Sequence, residues 1–223
     1  ARMSPTSNGK VPMTRQIRPH SRVASWLLVA LLIAVGSAAQ DDEMDNRIDA
    51  SGTWESPIGT LSVLQFADTL SFSYSSVFGP TAHLCLGAGV AGLVGRNRYE
   101  FEDEQGTVAF IVAEDRVEMG TVAGIASFCG AGWPGDVFSS GGYRSPDACT
   151  VEAERSLFHV VDHLEAEPRR AYVIAGDPVE AVPAPHDPDR EWLLARFAGE
   201  TITTVGLLSA GDLRCNAPEA ADR

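Results

Sequence analysis

Within eleven residues, from Phe128 to Phe138, the chain sets one cysteine, three glycines, one proline and three aromatic residues. Glycine and proline at that density force turns that no regular strand or helix can contain. The aromatic side chains of such a segment have to be held by the rest of a domain, and Cys129 is its natural tether. The segment is expected to close a first domain that ends near Tyr143.

The residues before it read as short antiparallel strands. In Thr69-Leu70-Ser71-Phe72-Ser73-Tyr74-Ser75, apolar and hydroxyl residues alternate with the period of two of a half-buried strand. Ala67-Asp68 makes a two-residue hairpin turn before it, and Trp54 reads as a core plug. Thr81 to Cys85 resumes as a strand carrying His83 and Cys85 on one face. Gly87, Gly89, Gly92 and Gly95 follow in a run that superficially suggests a phosphate cradle. No Gly-Lys-Ser/Thr follows and no strand-loop-helix unit surrounds it, so a glycine-rich β segment or compact loop is expected. Tyr99 to Glu102 and Thr107 to Val112 form the clearest hairpin, around Asp103-Glu104-Gln105-Gly106. About seven or eight strands without an amphipathic helix predict a small antiparallel barrel or sandwich over 51–143.

The chain begins with basic residues Arg15, Arg18 and Arg22, an apolar run from Val23 to Val35, and then Gly36-Ser37-Ala38-Ala39. This is the pattern of a secretory signal peptide over 1–39, too short to span a bilayer as a helix. Residues 40–50 read as an acidic, mobile leader. All 30 acidic residues lie after residue 39, whereas five of the 17 basic ones lie before it, which leaves a net charge of −18 on residues 40–223. That charge disfavours nucleic acid and anionic membranes and favours a basic partner.

Four cysteines in an oxidising compartment are expected to be disulfide-bonded. Three pairings are possible. Cys85 with Cys129 and Cys149 with Cys215 is preferred because each bridge then stays within one expected domain. None of the four sits in a Cys-x-x-Cys pair, so no zinc site is expected.

A second β pattern starts at Cys149, after the linker Ser145 to Ala148. It continues through Leu157 to Asp162, Ala171 to Val182 with a turn at Gly176-Asp177, a proline-rich loop from Pro183 to Pro188, Glu191 to Phe197, and Thr201 to Leu208. Tyr172-Val173-Ile174-x-Gly176-Asp177-x-Val179-Glu180, then Trp192-Leu193-x-x-Arg196-Phe197, then Thr204-Val205-Gly206-Leu207-Leu208-x-x-x-Asp212-Leu213 resembles bacterial SH3-like domains of exported proteins. The resemblance covers roughly 155–214 and implies a small five-stranded barrel of a kind that often binds cell-wall peptides. One departure is Leu207, where such domains usually carry tryptophan. For 50–143, a Gly-x-Trp start, a His-x-Cys strand and a late Cys-Gly look like periplasmic barrels of the calycin and lysozyme-inhibitor type, without the signature inhibitor loop. The expected fold class is therefore all-β: a small antiparallel barrel or sandwich, an SH3-like barrel over 149–215, and a flexible tail over 216–223.

Catalytic constellations find little support. His159 and His163 have His-x-x-x-His spacing, but on a strand four residues span roughly 13 Å, too far for two imidazoles to grip one ion. A cysteine nucleophile needs a free thiol. A serine nucleophile at Ser75, Ser76 or Ser139 lacks the Gly-x-Ser-x-Gly elbow, and Glu102-Asp103-Glu104 sits in a turn. No cofactor and no metal are expected. The candidate binding residues are Trp133, Asp136 and Phe138 in the turn-rich segment, and Trp192 in the second domain; flanking glycines would leave the Trp133 indole uncovered as a ligand platform, while a disulfide-tethered turn closing a barrel equally suits a core plug. The expected function is a non-enzymatic periplasmic or secreted protein that binds a basic envelope protein, such as a cell-wall hydrolase that it restrains. A peptidoglycan-binding module and an unrecognised hydrolase are the alternatives.

Overall fold

The computed structural model describes residues 47–130, 132–162 and 166–216, and among them two antiparallel sheets account for nearly all regular structure. The expected signal peptide over 1–39, the expected leader up to residue 46, His163 and residues 217–223 of the expected tail lie outside the described residues. Where the leader was expected to run on to residue 50, Arg47 instead donates to the Ala67 carbonyl and Asp68, and the Ala50 amide donates to Gln65. These hydrogen bonds tie residues 47–50 to the first sheet.

Nine strands make that sheet: β1 (Gly52–Glu55), β2 (Gly59–Phe66), β3 (Thr69–Phe78), β4 (His83–Gly95), β5 (Arg98–Glu102), β6 (Gly106–Val112), β7 (Arg116–Gly124), β8 (Asp136–Ser139) and β9 (Tyr143–Arg144). Their order is β8-β7-β6-β5-β4-β3-β2-β1-β9, an up-and-down meander. The two edge strands β8 and β9 are consecutive in the chain, linked by a 3-10 turn at Ser140–Gly142, so the sheet curls into a nearly closed barrel. Period two places Leu61, Val63, Leu70, Phe72, Tyr74 and Phe110 inside, where all are fully buried. The glycine-rich run forms most of β4. A Cβ on Gly87 would fall 2.4 Å from the Phe128 ring, and one on Gly89 would fall 2.5 Å from Phe101. The glycines are beds for phenyl rings, and this is what the run serves in the fold.

Residues 125–135 cross one end of this barrel. Gly130, Gly132 and Gly135 all adopt left-handed φ, at 74°, 85° and 82°, and turn the segment back over the opening. The ties that hold it there include the Cys85–Cys129 disulfide, the Leu86 amide donating to the Phe128 carbonyl, the Ile125 amide donating to the Gln105 carbonyl, and Ser127 Oγ donating to Asp103.

Seven strands make the second sheet: β10 (Asp147–Val151), β11 (Arg155–His159), β12 (Pro168–Ile174), β13 (Pro178–Pro183), β14 (Trp192–Ala198), β15 (Thr203–Ser209) and β16 (Leu213–Cys215), in the order β12-β11-β15-β14-β13-β10-β16. The resemblance implied five strands, whereas the sheet has seven. Cys149 lies opposite Cys215 in the β10–β16 ladder and is disulfide-bonded to it. A 3-10 turn at Ala210–Asp212 precedes β16. Its Asp212 carbonyl accepts from the Glu152 and Ala153 amides, and its carboxylate accepts from Ser156 Oγ at 2.6 Å. β12 is an edge strand, and between the pairs Leu157–Tyr172 and His159–Pro168 it carries extra residues that break the register.

The middle of the outer face of β2, β3 and β4 is covered by the second sheet, while Phe66, Val77, Leu84 and Val90 on the same face stay exposed. Leu64 and Ala88 join Val161, Val182, Ala184, Leu194 and Leu207 of the second sheet in one buried cluster, and Ser62, Ser71 and Ser73 are buried beside them. Small residues on this face let the sheets approach closely. Arg196 donates from one guanidinium nitrogen to the Gln65 carbonyl at 2.6 Å and pairs with Glu180 at 2.6 Å, while Ser73 Oγ accepts from the His186 amide at 3.1 Å.

Candidate functional site

The turn-rich segment presents its aromatic residues inward. Trp133 is 7% exposed and Phe138 fully buried, both within the first core, so of the two readings of the indole, platform or plug, burial supports the plug in the barrel mouth. The physical reason lies in the three left-handed glycines, which reverse the chain instead of holding the ring out. Trp133 Nε1 donates to the Tyr74 hydroxyl at 3.3 Å, and that hydroxyl donates to Asp136 Oδ2 at 3.1 Å. Ser56 Oγ also donates to Oδ2 at 2.9 Å, and the Val137 amide donates to Oδ1 at 2.9 Å.

Asp136 thus sits at the first residue of β8 and ties it to β3 and to the turn after β1, across the seam where the barrel closes. Three donors satisfy a carboxylate that is 8% exposed. Burial pushes the Tyr74 hydroxyl well above the ordinary tyrosine value, the neighbouring Asp136 charge adding to the rise, and burial raises Tyr99 and Tyr143 as well. Asp136, Tyr74 and Ser56 hold the barrel together at this seam.

Trp192 is half-buried at the margin of the cluster between the sheets. Its ring packs on His159 with centroids 4.5 Å apart, and its amide donates to Asp187 Oδ2 at 3.0 Å. The structure does not bring Trp192 together with Trp133, Asp136 or Phe138 in one site. Leu207, at the position where the SH3-like resemblance leads one to expect tryptophan, is fully buried in the same cluster.

The arrangement nearest to a nucleophile and base is one the sequence did not suggest: Ser73 Oγ lies 2.7 Å from His186 Nδ1. Ser73 is fully buried beneath the second sheet, however, and no substrate carbonyl can reach it. His83, paired with Phe78 across β3 and β4, is exposed and stacks on that ring at 5.6 Å rather than packing beside the disulfide. Among the described residues no group of three or more His, Cys, Asp or Glu could hold a metal ion, and no helix is long and apolar enough to cross a membrane.

What the molecule does expose is a groove of about 500 Å³ along the outside of β6, β7 and β8. Strand register builds it. Arg98, Ile111, Glu118 and Val137 lie side by side across β5 to β8, and in the next row Ala109 faces Gly120. Ala109 and Gly120 make a low floor. Ile111, Val122, Val137 and Ile58 rise around it, each at least 36% exposed, with Pro57 and Pro134 at one end. The charged heads at its side are paired, Arg98 with Glu100 at 2.6 Å and Arg116 with Glu118 at 2.7 Å.

The groove could have been suspected from the sequence. Val108 to Val112 is a continuous apolar run, and in a barrel strand such a run must send every second residue outward. No protein-family model, curated protein or solved structure matches the chain.

Proposed function

We propose that this chain is an exported, non-enzymatic binding protein of the cell envelope that captures a basic protein partner through the groove over β6 to β8. The observation carrying this reading is the groove itself: contiguous exposed apolar side chains on a chain whose residues 40–223 bear a net charge of −18. Apolar walls supply affinity, and the surrounding negative field steers a cationic partner to them. The two disulfides fit an oxidising compartment, and with the signal-peptide pattern they support export to the periplasm or the medium.

A basic cell-wall hydrolase is the partner class that this charge fits best. The peptidoglycan-module reading draws support from the 3-10 turn before the last strand and from β16 lying next to β10, both compatible with an SH3-like barrel. It ranks second because the face bearing Leu207 and Trp192 is occupied by the first sheet.

A purified basic muramidase is the probe. Apart from Lys10 the chain has no lysine, so after residue 39 a carbodiimide can join its carboxylates only to an amine on a partner or to its own N-terminus. The expected result is a one-to-one conjugate, with an association rate that falls steeply as salt shortens the Debye length from about 10 to 3 Å. Absence of the conjugate, together with co-sedimentation of the chain with purified peptidoglycan, would reject this function in favour of the cell-wall module.

A further inference from the structure

Resting on that reading, we infer that the groove seats an aromatic side chain which the basic partner presents between cationic neighbours. Within this protein, glycines on strand faces already serve as ring beds. Gly87 lies under Phe128 and Gly89 under Phe101, each so close that a Cβ would strike the ring. Gly120 sits on the outer face with nothing within 4 Å of the position its Cβ would take, so it is a bed of the same kind without a ring. Ala109 beside it extends the flat floor, and Ile111, Val122 and Val137 stand around the floor as side walls.

A planar ring lying on Gly120 would bury its face against backbone and its edges against these walls. An aliphatic side chain would fill the width less well. The charges around the bed specify what flanks the ring. Arg98 and Arg116 are answered by Glu100, Asp115 and Glu118, so the local balance is two cations against three carboxylates. A second copy of this chain would bring its own −18 to the contact and be repelled. A basic protein gains at both levels, through its cations at the rim and its ring on the floor.

The test uses the full chain and two synthetic peptides, Lys-Arg-Trp-Arg-Lys and Lys-Arg-Ala-Arg-Lys, followed by amide chemical shifts. The tryptophan peptide is expected to bind at least about tenfold more tightly, in line with aromatic anchors at interfaces, and to shift Gly120, Thr121 and Val137. Gly120→Leu fills open space, so it should keep the melting temperature while erasing the difference between the peptides. Glu118→Gln should weaken both peptides and flatten their salt dependence.

Equal affinities for the two peptides, or an undiminished preference for tryptophan in Gly120→Leu, would overturn the ring bed while leaving capture of the basic muramidase intact. Should the leucine variant misfold, the two peptides on the unaltered chain still decide the matter. Failure of both peptides and of the muramidase would bring down the underlying function as well.

Discussion

The two sheets solve the problem of a small β core differently. The first encloses twenty-one buried residues, rich in aromatic rings, and closes its own seam with Asp136, Tyr74 and Ser56. The second has a core of eight, and five more of its buried residues, Leu207 among them, face Leu64 and Ala88 of the first sheet. A domain of its size buries a small fraction of its surface and is marginal alone. The first barrel is therefore a scaffold in its own right, and the second completes its core by leaning on it. That dependence also explains why the face of the second sheet that a ligand could use is not free.

Trp133→Ala is the strongest way to break the comparison. It empties the barrel mouth and should cost about 3 to 5 kcal/mol, read as a lower denaturant midpoint. Little or no change in that midpoint would mean that the first core does not need its plug.

Leu207→Ala comes next, at about 2 to 4 kcal/mol, and its effect should be lopsided. Hydrogen exchange is expected to accelerate in β13 to β15 while β3 to β7 keep their protection. Equal loosening of both sheets would show one cooperative body with no dominant half.

The smallest effect is set by pH. Tyr74 and Tyr99 are both fully buried in the first sheet, and burial holds each above the ordinary tyrosine value of 10.0. The folded state therefore keeps protons that the unfolded chain releases. The contribution is complete below about pH 10 and is lost as pH rises through the raised values, by up to about 1.4 kcal/mol per pH unit for each tyrosine. Alkaline titration followed by near-ultraviolet absorbance should release these two tyrosines only as the first barrel opens. Ionisation of all tyrosines near pH 10 without unfolding would contradict the burial.

Local signals carried much of this architecture. Ala67-Asp68 is the whole connection between β2 and β3, Asp103 to Gln105 turns the next clear hairpin, and both disulfides pair as the division into two β patterns suggested. What failed did so for reasons that lie far along the chain. Ser71 and Ser73 read as a solvent face, yet both are buried, because their cover comes from residues about a hundred positions later. The Ser73–His186 contact spans 113 residues and leaves no trace in either neighbourhood. Trp133 stayed open between platform and plug in the sequence, since glycine permits a chain reversal as readily as it uncovers a ring, and only left-handed φ at three positions decides which. The outward apolar residues of the groove show in the Val108 to Val112 run, but its floor and walls depend on register across four strands.

β12 forms one edge of the second sheet, and its chemistry bears on how the protein behaves in a crowded compartment. β12 begins with Pro168, which has no amide hydrogen to give, and continues with Arg169 and Arg170, whose charges would meet their own kind in a like strand. The extra residues in its register then spoil the regular spacing that a ladder needs. Growth of a fibril by strand addition requires an edge that a copy can extend, repeat after repeat. Here each arriving strand would lose a donor, face like charge and fall out of step, so this rim of the molecule ends the sheet instead of templating another.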